Sequence, residues 1–151
     1  MIIRLAHINL VARDARALAA FYVSVFECTY LREPKVISGR RVSAGNGLPN
    51  WEIYTIWLKL PGSEAPFLEI HEHKDTVERE PPRVNEPGFR HLSFHVADID
   101  AILSRAIESG GAQIGEITNF GSQAEPFLIA YAHDPEGNIL ELEQPPKQTN
   151  R

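Results

Sequence analysis

The sequence predicts an α+β fold made of two β-α-β-β-β modules. Three observations carry this expectation. HINLVARD at 7–14 aligns without a gap to HLSFHVAD at 91–98, so one motif occurs twice. Each copy runs from a strand-like segment into apolar residues at helical spacing. Each half also closes on a similar strand, FLEI at 67–70 and ILEL at 139–142.

The elements follow in order. Residues 2–11, IIRLAHINLV, are rich in Ile, Leu and Val and read as a strand. Residues 14–26 place Leu18, Phe21, Tyr22 and Val25 at helical spacing, with Asp14 as N-cap. An extended stretch continues to about residue 37. SGRRVSAGNGLPN at 38–50 reads as turn and loop material. WEIYTIWLKL (51–60) and PFLEIHEH (66–73) form a hairpin around Pro61–Gly62. The charged, proline-rich KDTVEREPPRVNEP at 74–87 reads as a solvated linker. The pattern then restarts: a strand at 89–97, and a helix at 98–109 capped by Asp98 and ended by Gly110–Gly111. Extended stretches follow near 112–118, 126–133 and 138–143, the last two joined by the turn Asp-Pro-Glu-Gly at 134–137. The expected organisation is therefore a first module at 1–73, a linker at 74–87, a second module at 88–144 and a flexible tail at 145–151.

Composition narrows the function. The 151 residues carry 43% hydrophobic and 23% charged side chains, as a globular protein does. Net charge is −5 with no long basic run, which argues against nucleic acid as a partner. No apolar run approaches a membrane span. The start, MIIRLAHINL, is interrupted by Arg4 and His7 and does not read as a signal peptide. Cys28 is the only cysteine, so neither an intrachain disulfide nor a cysteine-based zinc site can form. It reads as a small buried residue. The expected location is the cytoplasm.

Strand alternation sorts the polar residues. His91 and His95 would be neighbours on a helix, but on a strand they stand about 13 Å apart. The helix begins only after them, so they cannot share one ion. On the four strands that flank the helices, Ile8 and Leu10, Leu68 and Ile70, Leu92 and Phe94, and Leu140 and Leu142 face a helix. The opposite faces carry His7 and Asn9, Glu69, His71 and His73, His91, Ser93 and His95, and Glu141 and Glu143. Carboxylates and imidazoles on the floor of a cleft are costly unless paired or metal-bound. His7, Glu69, His91 and Glu141 occupy matching places in the two halves. Two imidazoles and two carboxylates suit one divalent ion such as Zn, Ni, Co, Mn or Fe(II). His71 is a rival ligand. Asn9, Ser93 and His95 are candidate substrate contacts, whereas Trp51, Tyr54 and Trp57 read as core or subunit contacts.

The sequence resembles the vicinal oxygen chelate superfamily of glyoxalase I, methylmalonyl-CoA epimerase, extradiol dioxygenases, fosfomycin-resistance enzymes and bleomycin-binding proteins. The resemblance runs from Ile3 to Gln144. It rests on His7 followed by Asp14, Leu18, Phe21 and Tyr22, on Glu69 in LEI, on Gly88 and His91 with Asp98, and on DPEGNILEL at 134–142. It implies that each module forms half of an open barrel of mixed sheet, with the metal inside and helices on the outer face. It also implies a homodimer and a small-molecule substrate. Glyoxalase I-like members carry His, Glu, His, Glu, and His7, Glu69, His91 and Glu141 all match. The implied activity is a metal-dependent lyase or isomerase moving a proton next to a carbonyl, with Glu141 as base and acid and Glu69 as second carboxylate. Two alternatives stand beside it: an Fe(II) ring-cleaving dioxygenase using His7, His91 and Glu141, and a binding or resistance protein without turnover. There are departures. Val11 stands where glyoxalase I often has an arginine, and Phe26–Glu27 replaces the usual Leu-Gly after the first helix. The general HDPEGN replaces the epimerase's own loop. Neither glutathione nor coenzyme A gains support from these positions.

Overall fold

The computed structural model describes residues 3–147. The tail expected at 145–151 thus lies, beyond Lys147, outside the described residues, as does Ile2 of the first strand. The chain divides into two compact units, Met1–Arg79 and Glu80–Arg151, so the segment 74–87 is shared between them. Among the described residues no helix is long and apolar enough to cross a membrane.

In the first unit the strands are β1 (His7–Val11), β2 (Thr29–Tyr30), β3 (Lys35–Ser38), β4 (Glu52–Lys59) and β5 (Phe67–His73). The helices are α1 (Ala15–Phe26) and α2 (Arg40–Asn46). The sheet runs β1-β5-β4-β2, and β3 also pairs with β4. β1 lies parallel to β5, with Asn9 opposite Glu69, while β4 lies antiparallel to β5, with Trp57 opposite Glu69. In the second unit β6 (His91–His95), α3 (Ile99–Glu108), β7 (Ala112–Asn119), β8 (Leu128–His133) and β9 (Ile139–Gln144) repeat the pattern. The order is β6-β9-β8-β7, with Ser93 opposite Glu141 in a parallel pair and Tyr131 opposite Glu141 in an antiparallel one. The two open mixed sheets are the architecture expected from the repeat.

The likeness reaches individual hydrogen bonds. Asp14 accepts from Ala17 N at 2.9 Å and Asp98 from Ala101 N at 3.0 Å, capping α1 and α3. The polar residue three places after each site glutamate also reaches the helix start. Glu72 accepts from Ala15 N at 2.9 Å, and Gln144 from Ile99 N at 2.7 Å. Leu18, Tyr22 and Val25 of α1 are fully buried, as are Leu68 and Ile70 of β5. Ile99, Leu103 and Ala106 of α3 and Ala130, Leu140 and Leu142 of the second sheet are buried likewise.

Two details differ from the sequence reading. The segment 38–50 is not all loop, because α2 occupies Arg40–Asn46. Gly39 and Gly47, both with positive φ, are its two caps rather than signs of a flexible loop. α2 buries no residue, so no apolar stripe announced it. The extended stretch after α1 is also broken into β2 and β3. Both pair with β4 along one edge, the place that β7 takes in the second unit. β7 spans its edge in one piece by a register shift between Ile114 and Thr118, with Gly115 at φ 64°.

Phe26–Glu27 is explained by backbone geometry. Glu27 is the C-cap of α1 at φ 57°, ψ 28°. The left-handed conformation normally given to glycine is kept, and glutamate bears its steric cost.

Candidate functional site: a His–Glu pair on each sheet

In the first unit, β1 and β5 place His7 and Glu69 on the face opposite α1. His7 Nε2 lies 3.4 Å from Glu69 Oε2. His7 is half exposed, and its ring stacks on Phe67 with centroids 5.2 Å apart. Four groups surround the Glu69 carboxylate. Trp57 Nε1 donates to Oε1 at 3.0 Å and Asn9 Nδ2 to Oε2 at 3.2 Å. His71 Nε2 approaches Oε2 at 3.3 Å, as His7 does from β1. That His71 nitrogen is buried and makes no hydrogen bond. Burial holds the His71 imidazole below its ordinary value, against the pull of Glu69. His71 thus sets a buried ring nitrogen without a hydrogen bond beside a carboxylate oxygen. His73 is lowered by burial too, and it accepts from Trp51 Nε1 at 2.5 Å.

In the second unit, His91 Nε2 lies 3.8 Å from Glu141 Oε2. Tyr131 O–H donates to Glu141 Oε2, and Ser93 Oγ lies 3.0 Å from Oε1. The Ser93 hydroxyl is also 2.6 Å from Glu143 Oε1, so its single proton serves one of two carboxylates at a time. His95 contacts Glu143 Oε2 at 3.0 Å, not Glu141. Ser93, more than any other neighbour, holds Glu143 below the usual carboxylate range. The hydrogen bond to Glu141 pushes Tyr131 up to about 12.

Two ligand atoms on one divalent ion, each about 2.1 Å away, sit roughly 3–3.5 Å apart. The His7–Glu69 pair has that spacing and the His91–Glu141 pair is slightly wider. The donor set, imidazole nitrogens beside carboxylates, fits a borderline divalent ion. The unpartnered His71 nitrogen fits it as well. Among the described residues, no three His, Cys, Asp or Glu side chains are gathered in the geometry of a metal site. Each unit offers one His–Glu pair.

Sequence reasoning missed Trp57 and Tyr131. Each stands on the strand beside its glutamate, directly across the ladder. The DPEGN turn itself is tightly held. Buried Asp134 accepts from Glu136 N, Asn138 N and Asn138 Nδ2, each at 2.9 Å. Cys28 is buried, which pushes its thiol up to about 11. It is an unreactive core residue, as expected.

A family model described as the Glyoxalase/Bleomycin resistance protein/Dioxygenase superfamily matches residues 6–131. A curated relative, the ethylmalonyl-CoA/methylmalonyl-CoA epimerase of Cereibacter sphaeroides, is 26% identical over 145 residues, 95% of this chain and 99% of its own. The crystal structure of a glyoxalase family protein from Bacillus cereus superposes with a TM-score of 0.84 at 17% identity, over 96% of this chain and 95% of that one. A fosfomycin resistance protein from Listeria monocytogenes, crystallised with Mn(II) and a dihydroxypropylphosphonic acid, gives a TM-score of 0.60 at 19% identity, over 94% of this chain and 90% of that one.

Proposed function

The chain belongs to the glyoxalase/bleomycin resistance protein/dioxygenase superfamily, and from that premise we propose that it is a metal-dependent lyase or isomerase. It moves a proton next to the carbonyl of a small substrate that presents two vicinal oxygens. The observation that carries this reading is the His–Glu pair repeated on each sheet, each glutamate held by two donors at matching strand positions. His7, Glu69, His91 and Glu141 would hold one divalent ion, of the class Zn, Ni, Co, Mn or Fe(II). Such an ion supplies Lewis-acid stabilisation of charge developing on a carbonyl oxygen. The Mn(II) in the Listeria protein and the epimerase name of the Cereibacter relative point the same way.

The chain's own residues divide the proton chemistry. Glu69 is held by indole and amide N–H groups, which only donate. These two donors fix a carboxylate and offer it no lone pair of their own; the other groups at Glu69 are the imidazoles of His71 and His7, which would serve as metal ligands. Glu141 is held by the hydroxyls of Tyr131 and Ser93, which both donate and accept. Hydroxyl rotors can follow Glu141 as it gains and loses a proton, and Ser93 can turn its proton to Glu143 meanwhile. Glu141 is therefore the general base and acid, and Glu69 the fixed second carboxylate. Asn9, Ser93 and His95 lie on the same strand faces and are the nearest groups for substrate contact. Unpaired sheet edges at β1 and β6 favour a homodimer, and a lone buried cysteine suits the cytoplasm.

The test measures bound metal by elemental analysis, and solvent deuterium entering the carbon next to the carbonyl of candidate ketone and thioester substrates. The expected result is a stoichiometric metal that His91→Ala loses. Exchange should fall at least about 100-fold in metal-loaded Glu141→Gln. Full exchange in that variant would remove Glu141 from the role. Oxygen consumption with a catechol would replace the reading with a dioxygenase, and a metal-free protein that binds without exchange would make it a binding protein.

A further inference from the structure

The first sheet carries a feature that the second does not repeat. Trp57, whose indole N–H holds Glu69, has its ring face covered by two cations. Arg32 Cζ lies 4.3 Å and Lys35 Nζ 5.8 Å from the ring centroid. Arg32 belongs to the turn between β2 and β3, and Lys35 opens β3. Both are exposed. Neither side chain forms an ion pair or hydrogen bond among the described residues. That is notable in a chain with 20 acidic and 15 basic side chains, where carboxylates are in excess. In the second unit the ring at the matching position, Tyr131, is met edge-on by His91 at 5.7 Å. The strand on that edge, AQIGEITN, carries no lysine or arginine at all. The cations are thus no part of the repeated His–Glu frame.

We propose that Arg32 and Lys35, stacked over Trp57, capture an anionic group of the substrate, a carboxylate or a phosphate, beside Glu69. With its Cζ seated over the indole, the guanidinium keeps N–H groups for bidentate contact with two anionic oxygens. The lysine adds a second charge at short range. Trp57 joins the two functions, since its ring seats the cations while its N–H holds the carboxylate. The proposal rests on the reading of Glu69 as part of the reaction site, and it adds the substrate class: a carboxylate- or phosphate-bearing molecule rather than a neutral one.

The test titrates the full-length protein with inorganic phosphate and, separately, with malonate at constant ionic strength. Binding is read by tryptophan fluorescence, and circular dichroism confirms folding. Saturable binding is expected for at least one anion, weakened about tenfold or more in Arg32→Gln/Lys35→Gln. Phosphate and malonate distinguish the two anion classes. Lys74→Gln removes a cation 5.2 Å from the Trp51 ring and should leave the affinity unchanged. The proposal is overturned if the wild-type protein binds neither anion, or if the double variant binds as tightly as wild type. Metal content and deuterium exchange on the same preparations separate the two readings. Anion capture that needs Arg32 and Lys35 in a protein without metal or exchange sinks the enzymatic reading alone. Metal and exchange without anion capture sink this proposal alone.

Discussion

The two sheets hold equivalent glutamates with different chemistry. Glu69 meets an indole, an amide and a second imidazole, His71; Glu141 meets two hydroxyls and no second imidazole. The order and register of the inner strands, the helix N-caps and the polar bonds at the helix starts are the same in both units. A duplicated frame can therefore keep its backbone while its side chains take separate tasks. The backbone sets where a carboxylate stands, and the neighbours across the ladder set what it can do there.

The largest expected effect comes from removing those neighbours in parallel. Tyr131→Phe and Trp57→Phe each delete one donor to a glutamate and keep most of the ring. Losses on the order of 10–100-fold are expected for groups that orient ligands. Tyr131→Phe should lower the turnover of metal-loaded protein, whereas Trp57→Phe should lower metal retention. Metal titrations and kinetics on both variants would show whether the losses separate; equal shifts of one quantity in both would end the division of labour.

The next contrast is in the closing hairpins. Asp134 is buried and accepts three hydrogen bonds. In the first hairpin Ser63 donates one bond, to Ala65 O at 2.7 Å. Asp134→Ala should cost about 2–3 kcal/mol, because three donors lose their acceptor, and Ser63→Ala about 0.5 kcal/mol or less. Urea unfolding of both variants checks the ranking.

The smallest effect compares the two helix ends. Glu27→Gly relieves a left-handed side chain and should raise stability by about 0.5–1 kcal/mol, after the extra freedom of glycine in the unfolded chain. Gly110→Ala, at φ 94°, should lower it by about 1 kcal/mol. Opposite signs in thermal unfolding are the expected outcome; equal signs would mean that the αL position is not what sets the helix ends.

The fold was readable because its evidence is periodic and doubled. Apolar alternation marked β1, β5, β6 and β9, and Asp14 and Asp98 marked the helix starts. The same alternation put His7, Glu69, His91 and Glu141 on the strand faces opposite the helices. α2 went unread because it buries nothing and its capping glycines look like loop residues. Trp57 and Tyr131 went unread because their importance comes from cross-strand register, which alternation within one strand does not contain. Arg32 and Lys35 were hidden further still, since no spacing rule links a turn to the face of a ring on the neighbouring strand.

Gly137 carries a consequence for taking the molecule apart. At φ 82°, any Cβ there would come within 2.9 Å of Pro81. The proline thus packs flat against the DPEGN turn, from inside the stretch that reads as a solvated connector. A fragment beginning at Glu80 keeps that cover, whereas one beginning at Gly88 exposes the turn. The boundary between the two compact units falls before the proline pair Pro81–Pro82 rather than after it.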